Sequence, residues 1–354
     1  MGSRHAGTPR QARTARRPWA ILGALLVLLA AVLAAASAGT LSIPLGTTLS
    51  ALAGGLSGRP LEGLEGIVWN LRIPRVAFAV LVGGTLAASG AALQGLFRNP
   101  LADPYLMGVA SGASFGATLA VVLGGSLAAA FAPAVFTAGG TALVPPLAFA
   151  GAFLAVLATV ALARGSGRGS TGLVLAGVVV GSIFTSASTY LMLRDADRLR
   201  AVFSWSLGNL SLASWAEVAA VLPYAVAGLA GLLVLARALD ALQLGEDTAR
   251  TLGVPVERVR LAVIAAASLA TAAAVSYAGP IGFVGLVAPH VMRRLGAAGH
   301  RALIVSSALA GGALLVVADL GARTLTRPAE LPVGVVTTLI GGPFFLWLLR
   351  RGAR

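Results

Sequence analysis

The chain has 354 residues, of which 57% are hydrophobic and only 11% are charged, and its mean hydropathy is +0.89. Soluble domains carry about 25% charged residues, so this composition excludes an ordinary soluble protein. There is no cysteine, which excludes disulfides, thiol catalysis and thiolate metal sites. Long uncharged runs without the alternating pattern of a β-barrel predict an all-α, polytopic membrane protein.

All 26 basic residues are arginine, since the sequence has no lysine. A Walker A loop needs its lysine on the nucleotide phosphates, so any nucleotide chemistry must belong to a partner. The abundance of arginine, alanine and glycine indicates a G+C-rich genome and hence a bacterial source. The formal net charge is +14, but the arginines lie between apolar runs, where the positive-inside rule places them. This arrangement favours a lipid bilayer, rather than nucleic acid, as the partner of the positive charge.

The predicted elements begin with a basic tail, residues 1–18, which has five arginines and no acid and is expected to be disordered in the cytoplasm. The apolar run 19–38 is too long for a signal-peptide core and predicts the first membrane helix. Residues 39–66 are predicted to form an outside loop. Nine further spans follow at residues 74–96, 106–124, 146–163, 171–193, 215–236, 261–277, then from the 279–283 turn to 291, 304–322 and 333–349. One transmembrane domain, residues 19–351, is therefore expected.

Ten spans place both termini on one side of the membrane. Eighteen of the 26 arginines then fall in the tails and turns of that side. The positive-inside rule assigns this side to the cytoplasm.

The hydrophilic insert 240–260 has the pattern of a short amphipathic helix outside the membrane. Leu244, Ala249 and Leu252 are spaced to share one face, and Gly253 is placed to end the helix. Two interpretations stay open, a docking element for a partner and a helix lying on the lipid surface.

Three arginines on the opposite side, Arg72, Arg75 and Arg323, either anchor helix ends or receive acidic residues of a soluble partner. Two acid–arginine pairs have i, i+4 spacing: Glu246 with Arg250, and Asp319 with Arg323. Intrahelical ion pairs are the simplest reading of both. His290 is the one histidine of its span, so we predict a packed side chain there and no metal site.

Two rival classes of function remain at this point. A secondary transporter should show carboxylates inside the membrane, for which Asp319 is the one candidate, and it lies near a helix end. An intramembrane enzyme should show a nucleophile–base pair or clustered metal ligands, and the sequence has neither. Abundant glycines within the spans favour close helix packing, although some of them could line a pathway or permit hinging.

Five blocks of sequence resemble the FecCD-type permeases of bacterial ABC importers, which carry ferric siderophores, heme or cobalamin. The blocks are Arg72-Ile-Pro-Arg75, Gly90 to Gln94 with Arg98 to Ala102, Leu244 to Glu246 with Leu252 to Val254, Gly279 to His290, and Glu330 to Val336 with Gly341 to Phe345. The resemblance covers residues 60–350. It implies a cobalamin-permease-like fold and a permease that catalyses no reaction itself.

The resemblance also implies the partners. A second copy of the permease, or a homologous permease, forms the pathway at the dimer interface. Two ATPase subunits, which bind ATP and Mg²⁺, dock on the cytoplasmic side, and a substrate-binding protein docks outside. No cofactor is expected in this chain. The segment Trp205-Ser-Leu-Gly208 is more similar to the siderophore branch, so a ferric siderophore is the expected cargo, with heme and cobalamin as alternatives.

Individual residues take their implied roles from the same resemblance. Arg72, Arg75 and Arg323 match the arginines that meet glutamates of the binding protein. The segment within residues 240–258 matches the helices that couple to the ATPase, with the contacts placed at Leu244, Gly245, Glu246, Ala249, Leu252, Gly253 and Val254. Ser170 and Thr171 match the polar turn that forms a cytoplasmic gate, although the preceding residues 165–169 depart from the family pattern.

Overall fold

The computed structural model describes residues 18–39, 41–131, 141–166, 169–193 and 199–352. Within these ranges the chain forms α-helices with short helical turns, and no β-strand occurs. The helices are α1 Pro18–Ser37, α2 Leu45–Leu56, α3 Gly63–Ile67, α4 Ile73–Phe97, α5 Val109–Phe131, α6 Val144–Ser166, α7 Gly169–Leu193, α8 Leu199–Ser206, α9 Trp215–Leu242, α10 Glu246–Thr251, α11 Val256–Ala278, α12 Val284–Arg294, α13 His300–Thr324 and α14 Val333–Gly352. The predicted all-α fold is confirmed. The predicted tail, up to residue 17, and residues 194–198 of the loop after α7 lie outside the described ranges.

Seven of the described helices are long and apolar enough to cross a membrane: α1, α4 with the turns before it, α6, α7, α9, α11 and α13. Shorter apolar stretches occupy α5 and α14. The remaining predicted span, α12, has 11 residues, which is about 16 Å of helix. All ten predicted spans are therefore helical, but α12 reaches only about halfway across a hydrocarbon core of roughly 30 Å.

Successive spans run in opposite directions, so the bundle has two ends. The α10 end holds the last turns of α4, α9 and α12 together with the first turn of α13, which surround one cavity. The Arg75 end holds the last turn of α1 beside the start of α4, where Arg72 joins them. Because α1 ends at the Arg75 end, Pro18 lies at the α10 end. The end of α14 lies there too, since Arg294 at the end of α12 stacks over Trp347.

Glycines let the spans approach one another closely. A Cβ atom on Gly83 of α4 would overlap the carbonyl oxygen of Gly311 in α13, and one on Gly112 of α5 would overlap that of Gly151 in α6. Lipid tails are as apolar as leucine, so helices associate in a bilayer through such close packing. At these positions the glycines serve packing.

The chain between α4 and α5 turns back into the bundle. The hydroxyl of Thr159 in α6 donates to the carbonyl oxygen of Met107 at 3.2 Å, and Gly177 of α7 lies directly against the carbonyl of Leu106. Gly177 is eight residues into α7, about 12 Å along the helix. Helix α5 therefore starts within the bundle. Irregular backbone is tolerated at this depth because protein covers it.

This re-entrant segment meets the break between α11 and α12. The Tyr105 hydroxyl donates to the carbonyl oxygen of Ile281 at 3.0 Å and accepts from its N–H at 2.8 Å. Both backbone groups of Ile281 are thereby satisfied by one side chain, which joins the two interrupted spans.

Candidate functional site

Arg72 is buried and holds the end of α1. It lies in the π-helical turn Val68–Arg72 that precedes α4, and its side chain is 7% exposed. It donates to the carbonyl oxygens of Ala36 at 3.0 Å, Ser37 at 2.7 Å and Leu41. The last carbonyls of a helix have no partner within the helix, so this arginine completes the C-terminus of α1.

Asp319 is the centre of an ion cluster between α4 and α13. Its carboxylate is 1% exposed and accepts from Arg75 through Nε at 3.0 Å and Nη2 at 2.8 Å. Arg323, one turn along α13, lies 3.0 Å from its other oxygen, which confirms the predicted i, i+4 pair. Glu330 binds Arg75 from the other side at 2.9 Å.

The three arginines predicted to dock a binding protein are thus brought together at the Arg75 end, and each has internal partners. Arg72 and Arg323 are buried, and 11% of the Arg75 side chain is exposed. A docked protein would have to compete with carbonyls or carboxylates of this chain. The docking role stays a prediction.

Helix α10 is shorter than the predicted insert and lies between α9 and α11. Helix α9 continues to Leu242 and α11 begins at Val256. The predicted shared face is wrong, because Leu244 precedes α10 and Ala249 is fully buried. The two leucines on either side of α10 project instead, with 66% of Leu244 and 62% of Leu252 exposed.

Two glycines define the ends of α10, as the prediction for Gly253 required. Gly245 precedes the helix with φ +116°, and Gly253 follows it with φ +79°, which favours glycine at both positions. The N–H of Val254 bonds the carbonyl of Ala249 at 3.0 Å, and that of Gly253 bonds Arg250 at 2.9 Å. This pair of bonds is a Schellman motif.

Charged side chains fix α10 on α11. Glu246 accepts from Arg260 at 2.7 Å and lies 3.5 Å from Arg250, so the second predicted i, i+4 pair is also confirmed. Arg260 is further bound by Glu257 at 2.7 Å. The exposed leucines are therefore carried on a short helix with a defined position.

A polar cavity of about 370 Å³ opens beside α10 at the same end. Its lining consists of Gln94, Gly95, Arg98, Asn99, Pro100, Asp240, Gln243, Arg293, Ala297, Gly299, His300 and Leu303. The Asp240 carboxylate lies 2.7 Å from the His300 ring and 2.8 Å from its backbone nitrogen. Gln243 donates to the carbonyl of Gly95 at 2.8 Å. Sequence reasoning missed these bonds because 60 and 148 positions separate the partners.

The predicted gate residues lie at the start of α7. Ser170 and Thr171 belong to its first turn, and Thr171 is exposed. Of the residues before them, 167 and 168 lie outside the described ranges. The gating role of Ser170 and Thr171 stays a prediction.

A second cavity, of about 490 Å³, follows the exposed side of α7. Its lining is rich in hydroxyl groups and glycines: Tyr105, Leu106, Gly108, Ser111, Gly177, Val178, Gly181, Ser182, Thr185 and Ser186. Sequence reasoning did not single out this site. The signal was available, since Ser182, Thr185 and Ser186 recur at i, i+3 and i+4 in an apolar helix.

His290 is packed rather than clustered with other metal ligands. It accepts from Arg294 at 3.0 Å, and its ring meets the edge of Phe344 at 5.9 Å. Among the described residues there is no group of three histidines or acids that could hold a metal ion.

Comparison with known proteins now identifies the family. The model of the FecCD transport family matches residues 25–351. The chain belongs to this family. A cobalamin import system permease of Halobacterium salinarum is 45% identical, and the match covers 82% of this chain and 74% of the relative's length. An iron(3+)-hydroxamate import system permease of Bacillus subtilis is 40% identical over 84% and 74%.

A solved structure agrees with the FecCD fold. A metal-chelate type ABC transporter in an inward-facing conformation matches with a TM-score of 0.80 and 28% identity, over 95% of this chain and 100% of that one. The chain is therefore a multi-pass permease subunit of an ABC importer family.

Proposed function

We propose that this FecCD-family chain is the permease of an ATP-driven importer in the bacterial inner membrane, and that its cargo is a ferric siderophore. The termini lie in the cytoplasm, as the arginine distribution favours. ATP and Mg²⁺ bind to two partner ATPase subunits, since the chain has no lysine for a Walker A loop. The permease itself makes and breaks no bond.

The hydroxyl-lined cavity along α7 is the observation that carries this proposal. It lies on the exposed side of α7, where a monomer would leave hydroxyl oxygens with unused acceptor capacity facing lipid. Pairing with a second copy, or with a homologous permease, converts it into part of an internal pathway. Apolar side chains beside it, including Val178, Val179 and Ile183, are exposed and available for that pairing.

The lining favours a polar, bulky cargo without strong charge. Ser111 donates to the carbonyl of Gly108 at 3.0 Å and Ser182 to that of Val178 at 2.9 Å, so their hydroxyl oxygens can still accept. Such groups suit a siderophore, whose metal is enclosed by polar ligands. Cobalamin is the second candidate, favoured by the 45% identical relative, and heme is the third.

Coupling to the ATPase is assigned to the segment 244–254. Leu244 and Leu252 provide exposed apolar contacts, and Gly245, Glu246, Ala249, Gly253 and Val254 set the shape of the helix that carries them. Ser170 and Thr171 are proposed as the gate at the same end.

The alternative function, a secondary transporter, loses support. Asp319 is bound by two arginines, so it is poorly placed to carry a proton or an ion for a secondary transporter.

The test is uptake in proteoliposomes that contain the permease and its ATPase, with the binding protein outside. Ferric hydroxamate, ferric catecholate, heme and cobalamin are supplied in turn. We expect ATP-dependent uptake of one ferric siderophore. Selective uptake of cobalamin or heme would reassign the cargo, and uptake without the ATPase would overturn the ATP-driven mechanism.

Docking of the binding protein is assigned to Arg72, Arg75 and Arg323. Arg72→Glu or Arg75→Glu should weaken its affinity at low salt, because charge-assisted bonds to carboxylates are lost. Both residues also have internal partners, so thermal unfolding is measured in parallel. Arg59→Glu is the control, since Arg59 lies nearby and pairs with Glu65. Unchanged affinity in a folded Arg75→Glu variant would show that the arginines are purely structural.

A further inference from the structure

We propose that Asp240 and Gln243 are positioning residues that connect the coupling helix α10 to α4 and α13. This inference rests on the proposed function of α10. Asp240 lies in the last turn of α9, and Gln243 follows that helix directly. Only two residues separate Gln243 from the start of α10. A movement of α10 therefore reaches these side chains through two residues of chain.

Each side chain binds a terminal group of a different span. Asp240 accepts from the N–H of His300, the first residue of α13, at 2.8 Å. Gln243 donates to the carbonyl of Gly95, in the last turn of α4, at 2.8 Å. Helix ends carry amides and carbonyls without intrahelical partners, so α9 supplies hydrogen bonds to both of its neighbours.

The ends of α4, α9 and α13 also meet at the His300 side chain. The His300 side chain is buried, and its ring lies so close to α4 that a Cβ on Gly95 would overlap its Nε2 atom. The Asp240 carboxylate holds the other ring nitrogen, Nδ1, at 2.7 Å. Asp240 therefore fixes both the start of α13 and the ring that touches α4.

Beside the cavity of about 370 Å³, these bonds contribute more to the relative position of the helices than they would in a packed core. It lies between the same helix ends, and seven of its twelve lining residues are polar or charged. Because the cavity leaves the helix ends in incomplete contact, the directional bonds beside it set their relative position.

Helices α4 and α13 carry the position to the opposite end. They touch backbone to backbone at Gly83 and Gly311, and Arg75 of α4 binds Asp319 of α13 at 2.8 Å. The pair is joined at its middle and at its far end. Displacement of its near end by Asp240 and Gln243 thus reaches the end where a binding protein is proposed to dock.

The test compares a variant of equal size, a truncated variant and its rescue in the reconstituted complex. Gln243→Glu keeps the size of the side chain but removes the donor to Gly95, and Asp240→Ala removes the acceptor for α13. Asp240→Asn keeps an acceptor oxygen and serves as the rescue. Glu62→Gln is the control, because Glu62 is exposed and lies outside the proposed coupling segment 244–254.

The readouts are the number of ATP molecules hydrolysed per cargo molecule imported and the amount of ATPase that co-purifies. Loss of one net hydrogen bond changes an equilibrium about threefold to tenfold. We therefore expect that ratio to rise about threefold or more in Gln243→Glu and Asp240→Ala, with ATPase still bound. Asp240→Asn and Glu62→Gln should stay near the unmodified protein.

An unchanged ratio in Gln243→Glu would overturn the inference, as would an equal rise in Glu62→Gln. If Asp240→Ala fails to assemble, Gln243→Glu alone decides. A different result would contradict the proposed function of α10, namely normal ATPase binding and coupling in Leu252→Asp.

Discussion

The two ends of the bundle are built on opposite principles. At the Arg75 end, buried Asp319 is bonded to Arg75 and Arg323, and buried Arg72 is bonded to the carbonyls at the end of α1. At the α10 end, Leu244 and Leu252 are exposed and a polar cavity separates the helix ends. A buried ion cluster resists change because removal of one partner leaves an uncompensated charge, whereas exposed leucines and single hydrogen bonds can be exchanged. The difference agrees with the proposal that the α10 end is where the helices are moved, while the bonds of the Arg75 end hold them together.

Asp319→Ala should give the largest effect. Both Arg75 and Arg323 would lose their shared carboxylate, and breaking a buried pair costs about 3–5 kcal/mol. We expect a drop of that size in the free energy of unfolding, measured by denaturation of the purified protein. Glu330→Gln is the control, since Glu330 is 32% exposed and binds Arg75 alone. Equal losses in both variants would contradict the central role of Asp319.

Leu252→Asp should abolish coupling while leaving stability nearly unchanged. The side chain is 62% exposed, and burial of a leucine contributes about 1.5–3 kcal/mol, so ATPase affinity should fall roughly tenfold or more. Binding of the ATPase and its stimulation by loaded binding protein are the measurements. Leu295→Asp is the control, because Leu295 is also exposed and follows α12 at this end. Normal stimulation in Leu252→Asp would remove the distinction between the two ends.

Gly83→Ala tests the connection between the ends. The new Cβ would overlap the carbonyl oxygen of Gly311, and overpacking costs about 1–3 kcal/mol. Gly23→Ala is a control of opposite sign, since nothing lies within 4 Å of its Cβ position and alanine favours helix by up to about 1 kcal/mol. Thermal unfolding of both variants is compared. A stabilised Gly83→Ala variant would show that α4 and α13 can separate without loss.

Sequence reasoning succeeded where one stretch of chain contains the whole cause. The spans were predicted from the length of the apolar runs. The end of α10 was predicted from Gly253, because glycine readily adopts the left-handed backbone observed there. The Glu246–Arg250 and Asp319–Arg323 pairs were predicted from helical spacing. None of these needs knowledge of a neighbouring helix.

It failed where the cause is a contact between distant segments. Arg75 and Asp319 are 244 positions apart, and apolar spans carry no periodic signal that says which faces meet. Ala249 was placed on one face with Leu244 and Leu252 because all three were taken as one helix, but α10 begins only at Glu246. The re-entry before α5 was missed because the sequence of the turn with Pro100 and Pro104 does not say whether that turn lies at the surface or within the bundle.

The smallest expected effect comes from Arg250→Ala on α10. Arg250 lies 3.5 Å from Glu246 and 3.1 Å from Asp247, but about half of its side chain is exposed. Exposed ion pairs contribute about 0.2–1 kcal/mol, and Glu246 keeps its bond to the better buried Arg260. Unfolding free energy should therefore change by less than about 0.5 kcal/mol, while Arg260→Ala should cost more. A larger loss for Arg250→Ala would mean that the α10 end, like the Arg75 end, depends on its charges for stability.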